Sequence, residues 1–172
     1  MADREFTYLF CLDDKRSYSV EVKRRFNDTS RYMVFVSPSR HELLNLVTEY
    51  LPRPGFKIAI LPYYNIPDQS EPVQALASEI QRISPDLSIV LLVHGESPEE
   101  VVVKSGIDAY SWVPASNNSI LRIHNSVKKL ISEKSLEIRT RRRNIAFRLL
   151  VAFLLLAVIA LVTARFRFPH YF

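Results

Sequence analysis

Glycine is scarce in this chain, three in 172 residues, and cysteine is scarcer, with one. A phosphate-cradling loop depends on glycine to bring several backbone N–H groups onto one anion; neither a P-loop nor a GxGxxG turn is present, which argues against a nucleotide enzyme. The lone thiol, Cys11, lies inside an apolar run. It can make no intrachain disulfide and no cysteine-based metal site, and a reducing compartment is the simple reading. No Ser/His/Asp arrangement is visible. The opening segment, Met1 to Phe6, is polar and carries Asp3, Arg4 and Glu5, so no secretory leader is expected. Histidines are few and scattered. His41 and His124 fall on expected helices as surface residues, and His94 has no Cys, Asp or second His at ligand spacing, so it reads as a satisfied or exposed side chain rather than a ligand or base.

What the chain does have is positive charge and one long greasy stretch. The formal net charge is +5, with a pI near 9.4. Nucleic-acid binding would call for basic residues along a face of the domain. The densest group, Arg139, Arg141, Arg142, Arg143 and Arg148, stands instead beside the apolar segment, and no nucleic-acid partner is expected. From Leu149 to Ala164 the sequence LLVAFLLLAVIALVTA carries no charge, and Ile145 to Phe147 extend it past Arg148. That makes roughly 20 residues, or ~30 Å of helix, which matches the hydrocarbon core of a bilayer. Arg148, within a turn of the start, can reach back to headgroups. The alternative is a buried core helix, but such a helix is rarely apolar on every side between arginines. The sequence therefore predicts a transmembrane helix over 145–164, a basic helical linker over 135–144 and a short aromatic and basic tail over 165–172. Excess arginine before the span places the preceding domain, 1–134, in the cytoplasm, at an inner membrane.

Residues 1–134 alternate short apolar runs with amphipathic stretches. Phe6 to Leu12 reads as a buried strand ending at Asp13-Asp14, and Lys15 to Asn27 as a helix with Tyr18, Val22 and Phe26 inward and a basic outer face. Tyr32 to Val36 is a second strand. Ser37-Pro38-Ser39 then signals a helix start, with a serine as cap and the proline in the first turn, and the helix ends before Pro52, Pro54 and Gly55. Strands over Phe56–Leu61, Ser88–Val93 and Tyr110–Val113 alternate with helices over Val73–Ile83, from Ser97 to Gly106, and from about Asn118. Strands apolar on both faces need helices on both sides, so the expected fold is α/β, a doubly wound five-stranded parallel sheet. Strand order is not legible from this pattern.

With five βα units and paired aspartates closing the first strand, the chain resembles the receiver domain of bacterial two-component response regulators over about residues 6–133. The segments that carry the resemblance are LFCLDD (Leu9–Asp14), IAILPYYNIP (Ile58–Pro67) and Gly106-Ile107-Asp108-Ala109-Tyr110 followed by Val113-Pro114. The resemblance implies a flavodoxin-like strand order, 2-1-3-4-5. It also implies a degenerate phosphorylation pocket built from Asp13, Asp14, Pro62, Tyr63, His94 and Val113. Pro62 or Tyr63 stands where the family has its phosphoacceptor aspartate, Val93-His94-Gly95 where it has a serine or threonine, and Val113 where it has a lysine. Each departure removes a part of the chemistry: nucleophile, conformational reporter and counter-charge. Asp13 and Asp14 could hold Mg²⁺ weakly, or serve only as a polar strand end and helix cap. No other cofactor is expected.

These readings point to a pseudo-receiver that binds proteins at the membrane rather than an enzyme. Tyr110, Trp112 and Pro114 are the candidate partner contacts, since aromatics are over-represented at interface hot spots, although Trp112 could equally cover the edge of the core. Self-association through the last helix is a further possibility. A phosphotransfer switch using Asp13 or Asp14 in an atypical pocket is the alternative.

Overall fold

Apolar strands and amphipathic helices alternate through the first two thirds of the chain, and each strand finds its neighbours through parallel crossovers. The computed structural model describes residues 6–13, 18–27, 31–64, 67–95 and 107–167, with backbone alone at 27, 67–72, 138–139, 141–142 and 158–167. The elements are β1 (Thr7–Leu12), α1 (Ser19–Asn27), β2 (Tyr32–Ser37), α2 (Arg40–Tyr50), β3 (Phe56–Tyr64), α3 (Pro67–Ile83), β4 (Ser88–His94), β5 (Ser111–Pro114) and a C-terminal helix, α4 (Ser119–Arg167). The five strands form one sheet in the order β2-β1-β3-β4-β5, every pairing parallel. This is the expected doubly wound architecture. The helix expected between Ser97 and Gly106 lies outside the described residues.

Alternation along the strands divides the core into two layers. On one face Tyr8, Phe10, Ala59, Leu61, Tyr63, Ile89, Leu91 and Val93 pack with Leu43 and Val47 of α2 and Leu76, Ala77 and Ile80 of α3. Phe10 stacks on Phe35 at 5.6 Å, and Tyr50 closes on Phe35 at 4.4 Å between ring centroids. The intervening strand residues, among them Leu9, Cys11, Ile58, Ile60, Val90, Leu92 and Val113, are buried, as are Val22 and Phe26 of α1 and Ile123, Val127 and Leu130 of α4. Tyr18, Val22 and Phe26 thus form the inward stripe that their four-residue spacing predicts.

Several boundaries differ from the sequence reading. Helix α2 is capped by Ser39, whose side chain accepts from the Glu42 N–H, so Pro38 precedes the cap instead of sitting in the first turn. Helix α3 starts at Pro67, ahead of the expected Val73. Strand β3 runs on to Tyr64 rather than stopping at Leu61, with Pro62 inside it. Proline is unusual in a central strand because it cannot donate to the ladder. Here the pairing of β3 with β1 ends at Cys11↔Ile60, before Pro62 is reached, while β4 continues alongside through Tyr64↔His94. Gly55 has φ +135°, and a Cβ there would collide with the Phe6 carbonyl, which accepts from the Phe56 N–H at 2.9 Å. Glycine is what allows β3 to enter beside β1 at that point.

The chain divides into two compact units, Met1–Leu130 and Ile131–Phe172. In the second unit, the large apolar side chains from Ile145 to Leu156 are exposed. Side-chain description of the apolar run ends at Ala157, and among the described residues no helix is long and apolar enough to cross a membrane. The side chains of 158–164, the second part of the expected span, lie outside the description, although the backbone there is helical. The tail beyond Arg167 lies outside it altogether.

Candidate functional site

In a doubly wound sheet, ligands gather at the carboxyl ends of the strands, where crossovers diverge. Strand β1 delivers Asp13 to that edge, and extending the β1–β3 register by two residues sets it level with Pro62. Asp13 is only 1% exposed. Its Oδ2 accepts from the backbone N–H groups of Tyr18 at 3.0 Å and Ser19 at 2.8 Å, donors at the start of α1, where intrahelical acceptors are lacking. The carboxylate therefore caps α1 from a distance. Asp14 lies outside the described residues, so the Asp13/Asp14 pair cannot be placed as a whole. Among the described residues, no three His, Cys, Asp or Glu side chains converge as a metal site would need.

Tyr18 has a part that the sequence did not reveal. Its spacing from Val22 and Phe26 identifies a core position, and Tyr18, just ahead of α1, is indeed buried, but its hydroxyl also reaches the sheet edge. There it donates to the carbonyl of Leu12 on β1 and, at 3.2 Å, to that of Ile60 on β3. One phenol thus serves two carbonyls where the β1–β3 ladder stops. The only sequence signal is that the first residue of the inward stripe is Tyr, which needs a polar partner when buried, rather than Leu.

On β3 both Pro62 and Tyr63 are buried and point to opposite faces. The Tyr63 ring meets Trp112 edge-on at 6.4 Å, within the layer that α2 and α3 cover. Val113 is buried on β5 opposite Leu92, which is itself opposite Pro62. Pro62, Leu92 and Val113 therefore form an apolar row across three strands. His94 ends β4 directly opposite Tyr64, and the two rings stack at 4.5 Å and 20°. Gly95 follows with φ +94°, turning the chain off the sheet. Asp13, Pro62, His94 and Val113 thus lie toward the carboxyl edge of the sheet, Tyr63 turns into the layer that α2 and α3 cover, and Asp14 lies outside the described residues.

The partner candidates flank that edge. Trp112 is half-buried and packs on the core, Pro114 is half-buried, and Tyr110 is 38% exposed with its N–H donating to the Ile89 carbonyl at 2.8 Å. Ser111 on β5 and Ser126 on α4 share a 3.0 Å hydrogen bond, which ties the strand to the helix. Of the membrane-flanking residues, the side chains of Arg141, Arg142 and Ala164 lie outside the described residues, and Arg143, Arg148 and Leu149 are exposed on α4.

No family model matches the chain, and no curated protein does. Solved structures do. A response regulator receiver domain protein from Clostridium thermocellum is 15% identical with a TM-score of 0.60, over 76% of this chain and 98% of its own. A CheY-like receiver domain protein from Methanospirillum hungatei is 16% identical with a TM-score of 0.59, over 77% and 99%. A response regulator from Burkholderia pseudomallei, solved with a phosphorylated aspartic acid, is 17% identical with a TM-score of 0.53, over 77% and 75%. This chain shares the receiver fold with them.

Proposed function

We propose that this chain is a membrane-anchored pseudo-receiver, a non-enzymatic module that holds other proteins at the cytoplasmic face of a bacterial inner membrane without accepting a phosphoryl group. The receiver fold supports a response-regulator-like signalling role. The observation that carries the finer reading is the row Pro62, Leu92 and Val113 at the carboxyl edge of the sheet. Phosphoryl transfer to a carboxylate needs a nucleophilic oxygen, charge to balance the incoming oxygens and, in a metal-assisted site, further oxygen ligands. A proline, a leucine and a valine supply none of these. Asp13 has a carboxylate, but its Oδ2 is engaged by two N–H donors.

Anchoring is supported by the exposure of the large apolar side chains from Ile145 to Leu156, because a core helix would bury part of them. The test is phosphorylation of the full chain by a small phosphodonor with Mg²⁺, read by intact mass. No phosphoryl adduct is expected. Stoichiometric aspartyl phosphate, abolished by Asp13→Asn or Asp14→Asn, would establish a phosphotransfer switch instead.

A further inference from the structure

Charge in the first unit is divided between the helical layers that cover the sheet. Among the described residues, α1 exposes Lys23, Arg24 and Arg25 against one acid, Glu21, and the stretch of α4 up to Leu130 exposes Arg122 and Lys128 and contains no acid. On the opposite layer, α2 exposes Glu42 and Glu49, and Arg40 of α2 is paired with Glu79 of α3 at 3.0 Å. Neither Arg24 nor Arg25 has an ion-pair partner among the described residues. The two basic helices also converge. Phe26 and His124 bring them together at 5.2 Å between ring centroids. Between α1 and the start of α4 lies an open groove of about 480 Å³, lined by Arg24, Arg25, Asn118, Ile120 and Leu121, with Glu21 on its wall. Leu121 is 48% exposed, and Val20 on α1 is 66% exposed, so apolar groups stand among the cations.

We propose that this groove is the docking site for an acidic amphipathic helix of a partner protein. The inference rests on the protein-holding part of the reading above and gives it a partner class, and every residue it uses belongs to the first unit. A helix laid in a groove presents residues at i, i+4 and i+7 on one face, so leucine-like side chains can meet Ile120 and Leu121 while flanking carboxylates meet the guanidinium groups of Arg24 and Arg25. Those guanidinium groups lack an internal carboxylate among the described residues, which leaves their planar forks for a partner's. A nucleic acid would match the cations alone. The carboxylate of Glu21 on the groove wall repels a phosphodiester chain, and the exposed aliphatic groups offer it nothing, whereas both suit a side-chain surface of mixed character.

The experiment uses the full chain in a neutral detergent. The probe is a fluorescent synthetic peptide with helix-forming sequence, leucines at i, i+4 and i+7 and glutamates flanking them on the same face. A scrambled peptide of the same composition and a single-stranded oligonucleotide are compared with it, and binding is followed by anisotropy. The amphipathic peptide is expected to bind several-fold more tightly than the scrambled one and to weaken in high salt. Arg24→Glu with Arg25→Glu should weaken it by about tenfold or more, and Leu121→Ser by several-fold, while Arg53→Glu with Arg82→Glu, the same change of charge beside α2 and on α3, should stay within about twofold of the parent chain. Absence of binding, equal binding of the two peptides, equal losses in the two double variants, or an oligonucleotide that binds more tightly than the peptide and is lost with Arg24 and Arg25 overturns the inference. The titration is repeated after treatment with a phosphodonor and Mg²⁺. A phosphoryl adduct by intact mass overturns the pseudo-receiver reading instead, and leaves the peptide result standing as a property of the groove. The substituted side chains are exposed, and unchanged emission from the single tryptophan, Trp112, verifies that each variant is folded.

Discussion

Ser37 and Ser39 lie two positions apart and are not equivalent. Ser39 accepts from the Glu42 N–H at 3.3 Å and starts α2, so Ser39→Ala should cost about 1 kcal/mol. Ser37 is fully buried and its hydroxyl has no partner among the described residues, so Ser37→Ala removes a desolvated polar atom and should be neutral or slightly stabilising. Urea unfolding followed through Trp112 measures both, and equal losses would refute the capping account. Cys11 offers a second residue-level test. Burial first, and the nearby Asp13 second, raise its thiol pKa from 9.0 to about 12. The folded thiol should resist alkylation at pH 8 and react only as the domain unfolds, since the thiolate is the reactive form. Because the folded pKa is raised, the associated stability is complete below about pH 9 and is lost as pH climbs toward 12. Cys11→Ser or Cys11→Ala should flatten that alkaline decline.

At the scale of elements, α1 depends on a residue that is not part of it. Asp13 supplies the acceptor for the N–H groups of Tyr18 and Ser19. Asp13→Ala leaves two donors without that acceptor at a buried helix start and should cost roughly 1–3 kcal/mol, with Asp13→Asn recovering part of the loss. Thermal unfolding of the pair of variants decides the matter: equal stability of Asp13→Ala and the parent chain would mean that the cap carries no weight. The sequence pattern located α1 by its Tyr18, Val22 and Phe26 stripe, yet it left the aspartate's use open between a metal, a cap and a phosphotransfer site. The structure brings the Ser19 N–H to within 2.8 Å of Asp13 Oδ2, a contact that the linear pattern does not carry.

Over the whole molecule, a sheet-centred unit and a unit containing an arginine-flanked apolar helix are joined in one chain. The full chain is expected to float with lipid vesicles and to resist extraction by high salt or alkaline carbonate. The same chain ended after Asn144 should lose that resistance, because the surviving arginines give only electrostatic, salt-sensitive adhesion. Flotation assays on both chains provide the check; carbonate extraction of the full chain would defeat the anchoring reading.

The alternation of apolar strands with amphipathic helices was sufficient to establish the α/β class, the parallel sheet and the inward face of α1, since burial on both sides of a strand leaves a local signature. Pro62, His94 and Val113, on which the proposed reading turns, were likewise visible as residue types. Tertiary structure decided the rest. Strand order follows from which non-adjacent segments pair, and no local period encodes it; resemblance alone suggested it beforehand. The extension of β3 through Pro62 is possible because β1 has already ended beside it, and the use of Tyr18 as a bridge between two strand ends depends on a carbonyl 42 residues away. Such features belong to contacts made across the sheet, and a linear pattern cannot carry them because each half is ordinary until the other is brought beside it.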